Sequence, residues 1–273
     1  MSYVVLTEKE RNELCDLYFR LKRLGERFPS AREEAMAALR CLKAVHSNAI
    51  EDSTVDRIFL QLMLHGTGVG DKGRISRHYE NASTELRGQE ALLRSLEAQA
   101  RQREPLSLTM VREMHRQIFA ESMPDMAGRF RTGEVRISQM NHRPPPPQRI
   151  AEALQQHIDG INEDLWRLVV DSKEAFLDVL RLSARVHYLV ASVHPFEDGN
   201  GRVARAAGDY VMLVHGFYYD VIMTDYRNIY LDALDASTWA NTAPLFHFLE
   251  YSYQETLKRI SGFFSLTGKD GAE

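Results

Sequence analysis

Apolar residues recur at helical spacing along most of the chain. Thr7 and Glu10 have capping-box spacing and open a segment with Leu14, Leu17, Leu21 and Leu24 on one face, which predicts a helix to about residue 28. Ser30 and Glu33 repeat the box. Met36, Leu39, Leu42 and His46 then share one side of a second helix that reaches residues 47–51. Ile58, Phe59, Leu62 and Met63 predict a third over 54–65. Residues 66–73, GTGVGDKG, fit G-x-G-x-x-G. A dinucleotide fingerprint needs a strand before it, whereas a helix precedes this one, so it reads as an inter-helix loop. A polar helix over 75–103 stops before Pro105, and Leu108, Val111, Met114, Ile118 and Phe119 mark another over 107–119.

The pattern changes at 129–137. RFRTGEVRI alternates and carries the turn pair Thr132-Gly133, and the four prolines 144–147 are stiff and extended. Together they predict a short β-hairpin with a rigid return strand. Helices resume over 149–168, 174–193, 201–215, 227–236 and 243–263. The segment 174–193 is apolar on much of its surface, the pattern of a central buried helix. His194-Pro195 ends it, because the residue before proline is pushed out of helical geometry. The fold class is therefore all-α: a bundle of roughly eight or more helices with one β-hairpin flap.

Composition changes little in this picture. With 273 residues, 44% hydrophobic and 26% charged, the chain is an ordinary globular one, long enough for one helical domain with an extension. A net charge of −4 offers no general field for nucleic acid. Cys15 and Cys41 are too few for a metal site and read as small core residues in a reducing cytosol. Residues 1–6 are too short for a signal peptide before Glu8, Lys9 and Glu10, and no uncharged apolar run nears ~18 residues. The expectation is a cytoplasmic protein with no membrane or nucleic-acid partner; homo-oligomerisation stays open.

The chemistry concentrates in residues 194–205, HPFEDGNGRVAR. A helix ends, a tight loop follows, and a new helix begins near Gly199. Gly199 and Gly201 let the backbone approach a ligand with no Cβ in the way. The free N–H groups of the new helix favour an anion, phosphate above all. Arg202 and Arg205 share a side of its first turn and suit a di- or triphosphate. Asp198 is a hard oxygen ligand where Mg²⁺ bridging phosphates would sit. His194 is the group able to take a proton near neutral pH. Together these make a nucleotide site with a general base at its mouth.

This segment resembles the Fic-family signature H-x-F-x-[D/E]-G-N-G-R-x-x-R, filled by His194, Phe196, Asp198, Gly199, Asn200, Gly201, Arg202 and Arg205. At residue frequencies near ~5%, eight fixed matches arise by chance on the order of 10⁻¹⁰ per position. The resemblance extends over 106–263: His115 and Gly128 upstream, RTGEVRI and its prolines as the family's flap, and Arg227 and Tyr230 in a downstream helix. It implies the Fic fold, with a core over 105–265 behind an N-terminal helical region, 1–104, in one compact unit. It implies protein adenylylation: His194 deprotonates a Ser, Thr or Tyr hydroxyl of a target protein, which attacks the α-phosphate of ATP. Asp198 would hold Mg²⁺. Gly199, Asn200 and Gly201 would form the anion hole, Arg202 and Arg205 would hold the outer phosphates, and Phe196 would pack. Tyr230 would line the adenine pocket, though Leu231 stands where the family often has a second aromatic. Thr132, Val135, Arg136 and Ile137 of the flap would dock the target by strand addition, with Val135 and Ile137 on one side.

Residues 47–52, SNAIED, resemble the family's inhibitory helix, [S/T]-x-x-x-E-[G/N], here within 31–52, with Asp52 departing from the pattern. The resemblance implies that Ser47 and Glu51 engage Arg205 and block the γ-phosphate. Two other readings stay open. One is a Fic enzyme that uses UTP or CDP-choline, or that removes AMP. The other is a non-catalytic nucleotide-binding regulator, for which a damaged motif is expected.

Overall fold

The structure is a computed structural model that describes residues 4–51, 77–137 and 142–267. Among them are nine α-helices: α1 (Glu8–Arg27), α2 (Pro29–Glu51), α3 (Arg77–Gln102), α4 (Leu108–Phe119), α5 (Ile150–Arg167), α6 (Lys173–Val193), α7 (Asn200–Val214), α8 (Arg227–Ala236) and α9 (Ala243–Thr267). The helix expected over 54–65, the glycine-rich loop 66–73 and Asp52 lie outside the described residues.

Local chemistry sets the boundaries. The Thr7–Glu10 capping box forms: Thr7 accepts from the Glu10 N–H, and Glu10 accepts from the Thr7 N–H at 2.8 Å. Ser107 and Ser172 cap α4 and α6 by one such bond each, accepting from the Met110 and Ala175 N–H groups. The second helix starts at Pro29 rather than Ser30, because proline's fixed φ suits a first turn where its missing N–H costs nothing.

The central helix α6 is buried on most sides and packs chiefly on α7, with α5 and α9 on its other flanks. An aromatic cluster ties the layers. Tyr18 of α1 meets Phe176 of α6 at 4.9 Å and Phe217 at 4.3 Å, and Phe217 stacks on Tyr253 of α9 at 5.8 Å. Each fully buried ring contributes roughly 2–3 kcal/mol of burial. α2 packs on α1, α3, α7 and α9, so the helix carrying Ser47 and Glu51 sits directly on the helix carrying Arg202 and Arg205. A buried ion pair seats it: Lys43 Nζ lies 2.6 Å from Asp209 Oδ2 of α7 and donates to Asp220 O at 2.6 Å.

The expected β-hairpin does not form a ladder among the described residues, where 134–137 and 142–146 run without strand pairing. Four prolines in the return arm have no N–H to donate. The Arg131 side chain bridges the two arms instead, donating to Gly133 O at 2.8 Å and Pro145 O at 2.6 Å. No helix among the described residues is long and apolar enough to cross a membrane.

Candidate active site

Helices α6 and α7 meet at the loop 194–199, and this junction is the site. His194 is the C-cap of α6, with left-handed geometry, φ 49° and ψ 59°. Pro195 disfavours the right-handed helical region for it, and a non-glycine residue in this conformation is strained. Three contacts hold it there. Its N–H donates to Val190 O at 3.0 Å, its Nδ1 lies 3.2 Å from Ala191 O, and its carbonyl accepts from Arg131 Nε at 2.8 Å. With Nδ1–H on a carbonyl, Nε2 is left as the acceptor. Burial, reinforced by the Arg131 charge, outweighs the Ala191 contact and holds the imidazole pKa below its ordinary value. His194 is therefore a neutral base at pH 7.

The loop is braced from behind. Asn200 turns its amide back on Phe196, accepting from the Phe196 N–H and donating to its carbonyl, both at 2.8 Å. Its contribution to an anion hole is thus its backbone. His115 of α4 accepts from the Gly128 N–H at 2.9 Å and donates from Nε2 to Asp198 O at 3.1 Å. Its ring stacks on Phe196, with centroids 3.9 Å apart. Burial drives its pKa down to about 4, so it is a neutral strut. Phe196 is fully buried and packs, as expected. Gly199 has φ +75°, and a Cβ there would lie 2.3 Å from the Phe119 ring. Gly199→Ala should therefore destabilise the fold by about 2–4 kcal/mol through strain and overlap together. Chemical denaturation measures it; a loss under about 1 kcal/mol would show that Phe119 yields freely.

Arg205 is fully enclosed. Its Nε donates to Ser47 Oγ at 2.8 Å, and its Nη2 donates to Ser47 O at 2.9 Å and Glu51 Oε1 at 2.6 Å. Burial alone would raise the Glu51 carboxyl pKa, but Arg205, with Arg202 behind it, outweighs this and holds it below the usual carboxylate range. The same carboxylate lies over the start of α7: a Cβ on Gly201 would fall 2.1 Å from Glu51 Oε1. Gly201 is thus the residue that lets an anion reach the free N–H groups of the helix. Arg227 fixes the end of α2 by donating to Ile50 O at 2.7 Å. Tyr230 is buried, its hydroxyl 2.8 Å from His187 Nε2 and its ring 5.9 Å from the Arg205 guanidinium carbon. A cavity of about 280 Å³ runs from His194 and Gly201 past Glu51 and Arg205 to Tyr230 and Leu231.

Arg202 is buried too, and donates to Asn48 Oδ1 at 3.2 Å and to Glu85 Oε2. Asp198 and Glu197 are both exposed acids of the loop; the Asp198 side chain is 54% accessible, with Oδ2 3.6 Å from Arg202 Nη2.

Residues 105–212 match the Fic/DOC family. The chain carries a Fic domain. It is similar to protein adenylyltransferase fic-1 of Caenorhabditis elegans, 26% identical over 223 residues, 81% of this chain and 41% of that protein. It is also similar to protein adenylyltransferase Fic of Nematostella vectensis, 27% identical over 213 residues, 78% of this chain and 46% of that protein. The chain thus spans less than half the length of these curated relatives. Among solved structures, C. elegans Fic-1 (residues 134–508) superposes with a TM-score of 0.76 at 24% identity, covering 95% of this chain and 73% of that one. A Fic domain containing signaling protein from Bacteroides thetaiotaomicron also gives 0.76, at 20% identity, covering 95% and 99%. Both show the Fic fold for this chain.

The matched segment contains His194, the loop and both arginines, whereas Ser47, Glu51 and Tyr230 lie outside it. Of the flap residues, Arg136 and Ile137 line the cavity at His194. Val135 lines a second cavity with Arg131, Arg143 and Pro144–Pro146, and Thr132 is exposed. Val135 and Ile137 therefore do not share a cavity, because without a ladder nothing imposes strict alternation. The sequence reading gave no role to Arg131, Glu85, Asn48 or His187. Each is a lone polar residue with at least one partner distant in sequence.

Proposed function

We propose that this Fic domain transfers AMP from ATP to a Ser, Thr or Tyr hydroxyl of a protein, and that Glu51 restrains it. One observation carries the reading. A neutral His194 stands at the mouth of the α7 N-terminus, where the Glu51 carboxylate, bound to Arg205, stands in for a phosphate oxygen. In the reaction, the target oxygen attacks the α-phosphorus and its proton passes to His194 Nε2. The bond to the β-phosphate oxygen breaks and pyrophosphate leaves, its charge met by the arginines and the helix N–H groups. Arg136 and Ile137 border the cavity from the flap, where they would hold a target segment above His194. The free thiols Cys15 and Cys41 fit a cytoplasmic setting.

The residues present fit Mg²⁺. An exposed carboxylate beside a phosphate site is a usual protein ligand for it, since the ion keeps several waters. Asp198 would hold it, and when bound it would neutralise phosphate charge. Asp198→Ala should abolish most of the gain in ATP affinity that Mg²⁺ gives, read by calorimetry with and without the ion. An undiminished gain would remove Asp198 from this role.

Incubating the Glu51→Gly protein with labelled ATP, UTP, GTP and CDP-choline tests the donor. Label from ATP on protein is the expected result, and label from another donor alone would replace the reading. Tyr230 and Leu231 leave a single aromatic in the base end of the cavity, so this test decides the donor directly.

A further inference from the structure

Each arginine of the loop meets an acid from outside the matched Fic segment, but the two meetings differ in kind. Arg205 is engaged along its Nε–Nη2 edge by Ser47 and Glu51, which closes that edge to any other anion. Arg202 is gripped through Nη1, by Glu85 and Asn48. Its Nη2 stands 3.6 Å from Asp198 Oδ2, and its buried Nε has no hydrogen-bond partner among the described residues. The side chain is 4% exposed, with the guanidinium carbon 4.6 Å from the centre of the Phe119 ring.

A buried donor left unpaired costs about 1–3 kcal/mol, so a cation kept in this state is poised for an acceptor that the described residues do not supply. The Nε–Nη2 edge, which carries the unpaired donor, is the fork that takes two oxygens of one anion side-on. It lies toward Asp198, on the loop side, while Glu85 holds the opposite corner. The grip is itself templated. Asn48 Nδ2 donates to Gln89 Oε1 at 3.0 Å and to Ala44 O at 2.8 Å, which turns Asn48 Oδ1 toward Arg202. Glu85 and Gln89 are one turn apart on α3.

We propose that Glu85, seconded by Asn48, is a positioning residue for the outer phosphates of the nucleotide: it fixes Arg202 from behind and leaves its Nε–Nη2 edge open to them. This rests on the nucleotide reading of the site. The region before the matched segment then acts in two opposite senses. Glu51 occupies a phosphate position, whereas Glu85 builds one.

The test uses the full chain carrying Glu51→Gly and His194→Ala, so that ATP meets no carboxylate at Arg205 and is not turned over. Calorimetry then gives dissociation constants for ATP with Mg²⁺ and for AMP. Adding Glu85→Ala should weaken ATP by about tenfold or more and leave AMP, which lacks the outer phosphates, within about twofold. Glu85→Gln keeps an acceptor for Nη1 and should fall between parent and alanine for ATP. Unchanged ATP affinity would overturn the proposal. Tighter ATP binding would too, since Glu85 would then be a second brake. So would a parallel loss of ATP and AMP, since Glu85 would then only support packing. Because no transfer is required, this outcome is separate from whether the Glu51→Gly protein adenylylates anything.

Discussion

Glu51→Gly should raise AMP incorporation by about 10²-fold over the unchanged protein, because in-line alignment of the phosphates is what the Glu51 carboxylate prevents. Arg205 Nη2 is 2.6 Å from Glu51 Oε1, and the same oxygen sits over Gly201, where the α7 N–H groups would receive a phosphate. One guanidinium edge cannot serve two anions. The substitution costs the backbone about 1 kcal/mol of helix propensity, Glu51 being the last described residue of α2. It also leaves Arg205 buried and short of a countercharge. Breaking a fully buried pair costs about 3–5 kcal/mol, and the cost here is smaller because the Glu51 side chain is 31% exposed. The Glu51→Gly protein should therefore melt earlier than its parent without nucleotide, and ATP should restore more of its melting temperature than it does in the parent. Glu51→Gln should release activity less, since its amide oxygen can still accept from Nη2. Radiolabel incorporation and thermal melts with and without ATP measure both. Equal rates for parent and Glu51→Gly would reduce the 47–51 segment to a helix end.

His194→Ala should lower transfer by about 10²–10⁴-fold while leaving ATP binding largely intact, because the anion hole is built from backbone N–H groups rather than from the imidazole. The pH profile carries the same assignment. The base must be neutral to act, and burial together with Arg131 holds its pKa below the ordinary 6.5. Transfer should therefore be fully developed at pH 7 and fall only as pH drops below 6.5 through the lowered pKa. An acid limb at or above pH 7, or a His194→Ala protein keeping a tenth of the rate, would point to another base.

The parts of this architecture that were legible in the sequence are those written locally. Thr7 and Glu10 announce the start of α1, and the helix read over 227–236 is the one observed. The loop 194–205 was legible because its glycines, proline and paired arginines are each demanded by geometry within one turn. Alternation in RFRTGEVRI reads as a strand, yet no ladder forms among the described residues, where four prolines cannot donate and Arg131 bridges the arms. The braces of the site were illegible for another reason. Arg131 reaches His194 across 63 residues, His115 reaches Asp198 across 83, and Glu85 reaches Arg202 across 117. On an amphipathic helix a single polar residue looks the same whether it meets solvent or a partner that far along the chain. Spacing alone leaves Glu51 as a helix end; the resemblance of SNAIED, beside the loop motif, to an inhibitory helix singles it out, and the structure places Ser47 and Glu51 against Arg205.

The central claim is that one site holds an acid-restrained, histidine-dependent AMP transfer. Its most direct measurement is AMP incorporation, under identical ATP and Mg²⁺, by the unchanged protein, Glu51→Gly and Glu51→Gly/His194→Ala. The account predicts weak labelling of the first, strong labelling of the second, including on the protein itself, and none above background for the third. Labelling of the double variant at the rate of Glu51→Gly would contradict it.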